Sequence, residues 1–254
     1  MSQARIDVAP STPLSEPIKS RPIKRAFRSP LAWLFLLGIL SAGLTFDLVS
    51  KSWTFEHVAR RPVQLDRKRL LAEPDYNPIP SHSGIRILPW GLLELQLVFN
   101  RGAVFGIGPN KRFFFIGFTV AALAVGLFVF GRLTSSRHWL AHLAIGLVLA
   151  GGIGNLHDRI VYGVVRDFLH MLPGYRLPFG ATWPGGSPEL FPWVFNVADA
   201  MLLAGMGLLL LHMSRLERNR KQIMEDQLRD GDERHLEAEP VPALGQQPSD
   251  AASH

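Results

Sequence analysis

The chain has 254 residues, 47% of them hydrophobic, a formal net charge of +6 and no cysteine. The missing cysteine excludes disulfides, thiolate metal sites and a cysteine nucleophile. The apolar residues gather in long uncharged runs flanked by basic residues, which points to a membrane and away from nucleic acid.

Residues 1–28 form a basic segment with Lys19, Arg21, Lys24, Arg25 and Arg28. The run between Arg28 and Asp47 is the first expected span. It exceeds the roughly 7–15 apolar residues of a signal peptide and lacks an A-x-A site after it, so it is expected to be retained. It ends in Phe46-Asp47-Leu48-Val49-Ser50-Lys51. Asp47 and Lys51 stand four apart on one helix face, either as an ion pair capping the span or as support for a site.

Residues 62–89 are polar and punctuated by Pro, Asn and Ser, which reads as irregular loop. Leu93, Leu95 and Leu97 then alternate with Glu94, Gln96 and Val98, a period of two that predicts a short strand. The second span is expected at 113–131, bounded by Lys111, Arg112 and Arg132, and the third at 139–157. The third leads through Gly151-Gly152-Ile153-Gly154-Asn155-Leu156-His157-Asp158-Arg159. Its glycines allow close helix approach. Asn155 and Asp158 share a face, Arg159 is placed to neutralise Asp158, and His157 reads as interfacial. Alone, this block reads as a polar clamp more than as chemistry.

Beyond it, Asp167 sits in the apolar frame Val164-Val165-Arg166-Asp167-Phe168. Residues 173–192 are rich in Pro and Gly and carry Trp183, with Trp193 following, as suits a membrane–water interface. The fourth span, 190–212, includes Phe195-Asn196-Val197-Ala198-Asp199. Asn196 and Asp199 share a helix face, and Asp199 is the one charged residue between Glu189 and Arg215. An ionised group at a membrane centre costs at least about 2.5–3.5 kcal/mol, so a lone aspartate there calls for a function. Residues 227–254 are charged and low in aromatics, hence expected to be disordered. Three parts follow: the basic segment 1–28, a four-span domain 29–213, and a cytoplasmic tail 214–254.

Four crossings put both termini on one side. Arg132, Arg137, Arg215, Arg218, Arg220 and Lys221 join the N-terminal cluster there, and the positive-inside rule makes that side cytoplasmic. The polar residues therefore collect near the outer ends of the spans. Two close carboxylates do not both ionise easily, so Asp167 and Asp199 would share one proton. One can then take a proton from water while the other hydrogen-bonds a carbonyl, which hydrolyses an amide without a metal or covalent intermediate. No H-E-x-x-H, G-x-S-x-G or Walker motif occurs in the chain.

These blocks resemble signal peptidase II, the prolipoprotein signal peptidase family. The resemblance rests on Asp47…Lys51, Asn100-Arg101-Gly102-Ala103-Val104-Phe105-Gly106, and the glycine-rich block at 151–159. It also rests on Gly163-Val164-Val165-Arg166-Asp167-Phe168 and Phe195-Asn196-Val197-Ala198-Asp199, in the family's order over roughly residues 30–213. Leu48 and Val104 depart from the family's usual glutamine and alanine. The resemblance implies an all-α integral membrane fold of four helices with a small extracytoplasmic β element and an interfacial helix. It implies a catalytic dyad at Asp167 and Asp199, with Asp47, Lys51, Asn100, Gly102, Asn155, Asp158, Arg159 and Asn196 binding substrate or supporting the site. The implied substrate is a diacylglyceryl-modified prolipoprotein, cut before its lipid-bearing cysteine at the outer face of the bacterial inner membrane. No cofactor or metal and no nucleic-acid partner is expected, membrane lipid is, and the chain is expected to be a monomer.

A small proton-coupled transporter component is the alternative, since intramembrane Asp and Asn also mark ion paths. Against it, the inner halves of spans two to four hold no ionisable residue except His142 and, at the very end of the fourth, His212. A non-catalytic scaffold would leave Asp199 without a role.

Overall fold

The computed structural model describes residues 25–73, 75–102 and 112–238. In chain order these form α1 (Pro30–His57), α2 (Arg67–Ala72), β1 (Ile85–Arg86), β2 (Leu93–Asn100) and α3 (Arg112–Phe128). Then come α4 (Trp139–Val161), β3 (Val165–Met171), β4 (Val194–Phe195) and α5 (Val197–Ala238). Helices α1, α3, α4 and α5 are each long and apolar enough to cross a membrane. The expected four-helix architecture is present.

Helix α1 starts at Ser29, whose side chain accepts the Ala32 N–H at 3.3 Å, with Pro30 at the first helical position. It does not stop near Asp47 but runs to His57, because Asp47 and Lys51 pair inside the bundle and do not cap its end. The added turns carry Phe55 and lead to the cap residue Val58, and both pack with Leu95, Leu97 and Phe168 of the sheet. The helix extension is thus the sheet's support.

Helix α4 is the centre of the bundle. Its apolar window is 61% buried, against 17% or less for the other three spans, so it packs against protein where theirs stay exposed. Gly151 makes this possible, since a Cβ there would collide with the Ala198 backbone carbonyl of α5. His142, near the other end of α4, is buried with its Nε2 3.2 Å from Thr134 Oγ1. It is a satisfied polar contact beside Phe130.

The strands form one antiparallel sheet in the order β1-β2-β3-β4. Between Leu95↔Leu169 and Val98↔Asp167 the register shifts, a bulge next to Asp167. Bulges re-aim side chains, and this one sits where the aim matters. The β element is larger than the single expected strand. Val165–Met171, for which no element is expected from the sequence, pairs with β2 across its length.

Two expectations are corrected. The fourth helix begins at Val197, not at 190, because Val194 and Phe195 pair with His170 and Leu169 and the chain arrives through Pro192. At the other end α5 continues to Ala238, so the disorder expected from 227 does not hold through 238. This stretch carries two Leu, two Arg, two Glu and an Ala and meets no proline before Pro240, which favours helix. The irregular loop at 62–89 also contains α2, capped by Asp66, and β1. Lys19, Arg21, Lys24, Ala103, Val104, Phe105, Gly106, Lys111 and residues 239–254, for which the sequence sets expectations, lie outside the described residues.

Candidate active site

The polar residues form two adjoining layers where α1, α4 and α5 meet the sheet. The lower layer is built of charges. Asp47 and Lys51 of α1 are fully buried, with Lys51 Nζ 2.8 Å from Asp47 Oδ2. Asp47 Oδ1 accepts the Ala198 N–H at 2.9 Å, so its carboxylate also satisfies an open donor in the first turn of α5. A Cβ at Gly154 would collide with this carboxylate, which explains the glycine. Lys51 Nζ also donates to Asn155 Oδ1 at 3.2 Å and lies 3.7 Å from Asp158 Oδ2.

Asp158, fully buried, takes a bidentate grip from Arg166 of β3: Nη2 to Oδ1 at 2.8 Å and Nε to Oδ2 at 3.1 Å. The Arg166 N–H adds a third bond, to Oδ2 at 3.0 Å. Arg166, not Arg159, is therefore the main cation on Asp158. Arg159 turns the other way and donates to the carbonyls of Asn155 and Gly102, both at 3.3 Å. Sequence reading gave Arg166 no role. Its signal was an arginine inside the apolar run Val164–Phe168, where an unpaired charge would not be kept. His157 is half-exposed, as expected of an interfacial residue, yet its Nδ1 lies 3.4 Å from Asp158 Oδ1.

The upper layer is built of amides and two carboxyls. Asn196 stands just before α5 and accepts the Asp199 N–H on its Oδ1 at 3.1 Å, while the Asn196 N–H donates to Asp199 Oδ2 at 3.2 Å. This is a reciprocal capping box. Asp199 thus lies in the first turn of its helix rather than inside a span, and part of its reason is local. Asn196 Nδ2 donates to Asp167 Oδ1 at 2.6 Å and to Asn155 Oδ1 at 3.1 Å, and Asn155 Nδ2 donates to Asp199 Oδ1 at 2.8 Å. Asn155 Oδ1 faces Lys51 and Asn196, which fixes its amide so that the NH2 group points at Asp199.

Asp167 is 1% exposed. Burial first, and then the neighbouring Asp199 carboxylate, push its carboxyl up to about 8, against the hydrogen bonds from Asn100 and Asn196. Asn100 Oδ1 also accepts the Gly102 N–H at 3.0 Å, closing the turn that leaves β2. The structure brings Asp167, Asp199, Asn100, Asn155 and Asn196 together. Asp47, Lys51 and Asp158 form the layer beneath, with Gly102 and Arg159 at the side.

Asp167 and Asp199 open into a cavity of about 1060 Å³. Among the described residues its polar lining is Asn100, Arg101 and the two carboxyls, and aromatic residues such as Trp183, Phe191 and Trp193 form a wall. The two tryptophans, expected at a membrane interface, stand edge to face with ring centroids 4.7 Å apart.

Four helices long and apolar enough to cross a membrane, a sheet across one end and two neighbouring carboxyls at the junction, Asp167 buried and Asp199 half-buried, define a polytopic membrane protein. The chain belongs to the family described as signal peptidase (SPase) II, whose profile matches residues 39–215. A lipoprotein signal peptidase of Symbiobacterium thermophilum is 42% identical over 144 residues, covering 54% of this chain and 80% of that relative. A lipoprotein signal peptidase of Caulobacter vibrioides is 30% identical over 186 residues, covering 72% of this chain and 88% of that protein. A bacterial membrane enzyme solved by the in meso method shares the fold, with a TM-score of 0.53 at 23% identity over 78% of this chain and 96% of the solved one.

Proposed function

We propose that this chain is a membrane aspartic endopeptidase that removes signal peptides from diacylglyceryl-modified prolipoproteins, cutting before the lipid-bearing cysteine. The observation that carries the reading is the carboxyl pair at the head of a largely apolar cavity, with Asp167 pushed up to about 8 and Asp199 held by amides. Membership of a signal peptidase family supplies the substrate class.

Asp167 keeps the shared proton and hydrogen-bonds the scissile carbonyl oxygen. Asp199 takes a proton from a water lying between the two carboxyls as its oxygen attacks the carbonyl carbon. The proton from water then passes to the leaving amine as the C–N bond breaks. Asn155 and Asn196 hold both carboxyls, and Asn100 steadies Asp167. Lys51, Asp47, Asp158 and Arg166 fix the amides from below, and Arg159 ties α4 to the Gly102 turn.

In the bacterial inner membrane both termini face the cytoplasm, and the sheet, α2 and the site lie at the outer face, α2 along the interface. The catalytic unit is 29–213, with the basic flank 1–28 and the tail 214–254 inside, and the chain works as a monomer. The basic flanks of the spans support this orientation.

The test uses purified full chain in detergent micelles with a diacylglyceryl-modified precursor, the products identified by mass spectrometry. Cleavage before the modified cysteine, unaffected by a strong chelator, is expected. No cleavage, or a loss that zinc restores, overturns the reading. Single cysteines introduced at Asp75 and Gly185 should react with an impermeant reagent from outside the cell, and one in the tail should not.

A further inference from the structure

One wall of the cavity is made by a segment to which the peptidase reading gives no task. Residues 175–190 fold back on themselves, with the Leu177 N–H donating to the Pro188 carbonyl at 2.8 Å and the Leu190 N–H to the Tyr175 carbonyl at 2.7 Å. At the return the Trp183 N–H donates to the Ser187 carbonyl at 3.0 Å, and Gly185 and Gly186 take φ of 106° and 83°, a region that glycine enters without strain. The base is tied at the Trp90 turn and lies beside β3. Tyr175 Oη donates to the Trp90 carbonyl at 2.9 Å, and Glu189 Oε2 lies 3.4 Å from Nε2 of the buried His170 on β3.

Trp183 Nε1 donates to the Glu189 carbonyl at 2.9 Å, inside the hairpin. The ring's only polar atom is thereby used, and what Trp183 adds to the cavity lining is carbon. The lining continues along α5 through Leu202, Leu203 and Met206. Leu203 is 66% and Met206 49% exposed, on a helix apolar enough to cross a membrane. The cavity is therefore continuous with the surface that lipid covers, about 10 Å along the helix from Asp199. Such a shape suits a ligand whose polar head sits at the carboxyls and whose apolar chains run toward the bilayer.

We propose, resting on the peptidase reading, that Trp183 is a specificity-determining residue. With Trp193 it forms the aromatic wall against which the acyl chains of the substrate's diacylglyceryl group pack, so the hairpin selects precursors by acyl-chain length.

The experiment measures kcat and KM of the full chain in micelles on two precursors of identical peptide sequence, one dipalmitoyl and one dioctanoyl. The wild type should favour the dipalmitoyl form. Trp183→Ala should cut the ratio of the two kcat/KM values about tenfold, through KM rather than kcat, as loss of a binding contact does. Trp183→Phe, which keeps an apolar ring, should retain most of the preference. A ratio unchanged in Trp183→Ala, or a KM that rises equally for both precursors, overturns the inference while the wild type's cleavage leaves the peptidase reading standing. A wild type that cuts neither precursor overturns both.

Discussion

The two polar layers differ in how their carboxylates are satisfied. In the lower one Asp158 receives three bonds from Arg166, and Asp47 is bonded by Lys51 and by the start of α5. In the upper one Asp167 and Asp199 are bonded by the side-chain amides of Asn196 and Asn155, with a backbone N–H added for Asp199. Matched charges hold a fixed ionisation state and a fixed shape. Carboxyls held by neutral amides next to one another keep a proton that can move. The lower layer is charge-matched and closed, while the upper one is held by neutral groups and reaches the cavity, although both lie at the same junction.

The comparison breaks most visibly at the dyad. Asp167→Asn and Asp199→Asn should each reduce single-turnover cleavage in micelles by roughly 10²–10⁴-fold, with expression and insertion near normal. The double variant should be hardly worse than either single one, because the two groups act as a unit. Asp167→Asn retaining more than about a tenth of the rate would leave Asp167 outside the chemistry.

The lower layer should fail in a different measurement. Asp158→Asn strips the counter-charge from buried Arg166 and Lys51, and such a break costs on the order of 3 kcal/mol. Thermal unfolding in detergent should show it as a clear loss of stability and yield, while turnover per folded molecule falls less than in the dyad variants. Asp47→Asn should behave alike.

Between the layers, Asn196→Ala removes the bond to Asp167 and half of the cap on α5. A cap is worth about 1 kcal/mol, and the freed carboxyls lose their alignment. The expected result is a roughly tenfold lower kcat with modest loss of stability.

Acid–base behaviour offers the finest test. Asp167, pushed up to about 8, is protonated below that pH, so the cleavage rate should decline as pH rises through it. Stability follows from the same shift. The unfolded chain gives up this proton near the ordinary 3.8 and the folded one only near about 8, so Asp167 weakens the fold progressively across that window. Asp167→Asn does not titrate, and its melting temperature relative to wild type should rise from pH 4 to pH 8. A gap that stays constant would mean that Asp167 is not held protonated.

Much of this molecule is written locally. Uncharged runs predict the helices, alternation predicts the strand at Leu93–Val98, and spacing puts Asp47 with Lys51. The carboxyl pair was found because charge inside an apolar frame is costly, wherever the chain then takes it. Other features escaped the same reasoning. Asn196 and Asp199 looked like one face of a long span and are a helix start, because β4 claims the residues before them. Arg159 looked like the partner of Asp158 by adjacency, yet Arg166 reaches it from a strand.

Composition and periodicity by themselves therefore determined a four-helix membrane protein with carboxylates where lipid-exposed charge would be too costly. Only the tertiary structure decided which carboxylate is matched by a cation and which is held by amides beside the cavity. Lys51 reaches Asn155 from 104 residues away and Asp47 reaches the Ala198 N–H across 151. Helix and strand periods arise from neighbours along the chain. The partner of a buried charge is set by which helices the glycines of α4 let approach and by where the bulge in β2 turns the sheet, and neither is a property of any short stretch of sequence.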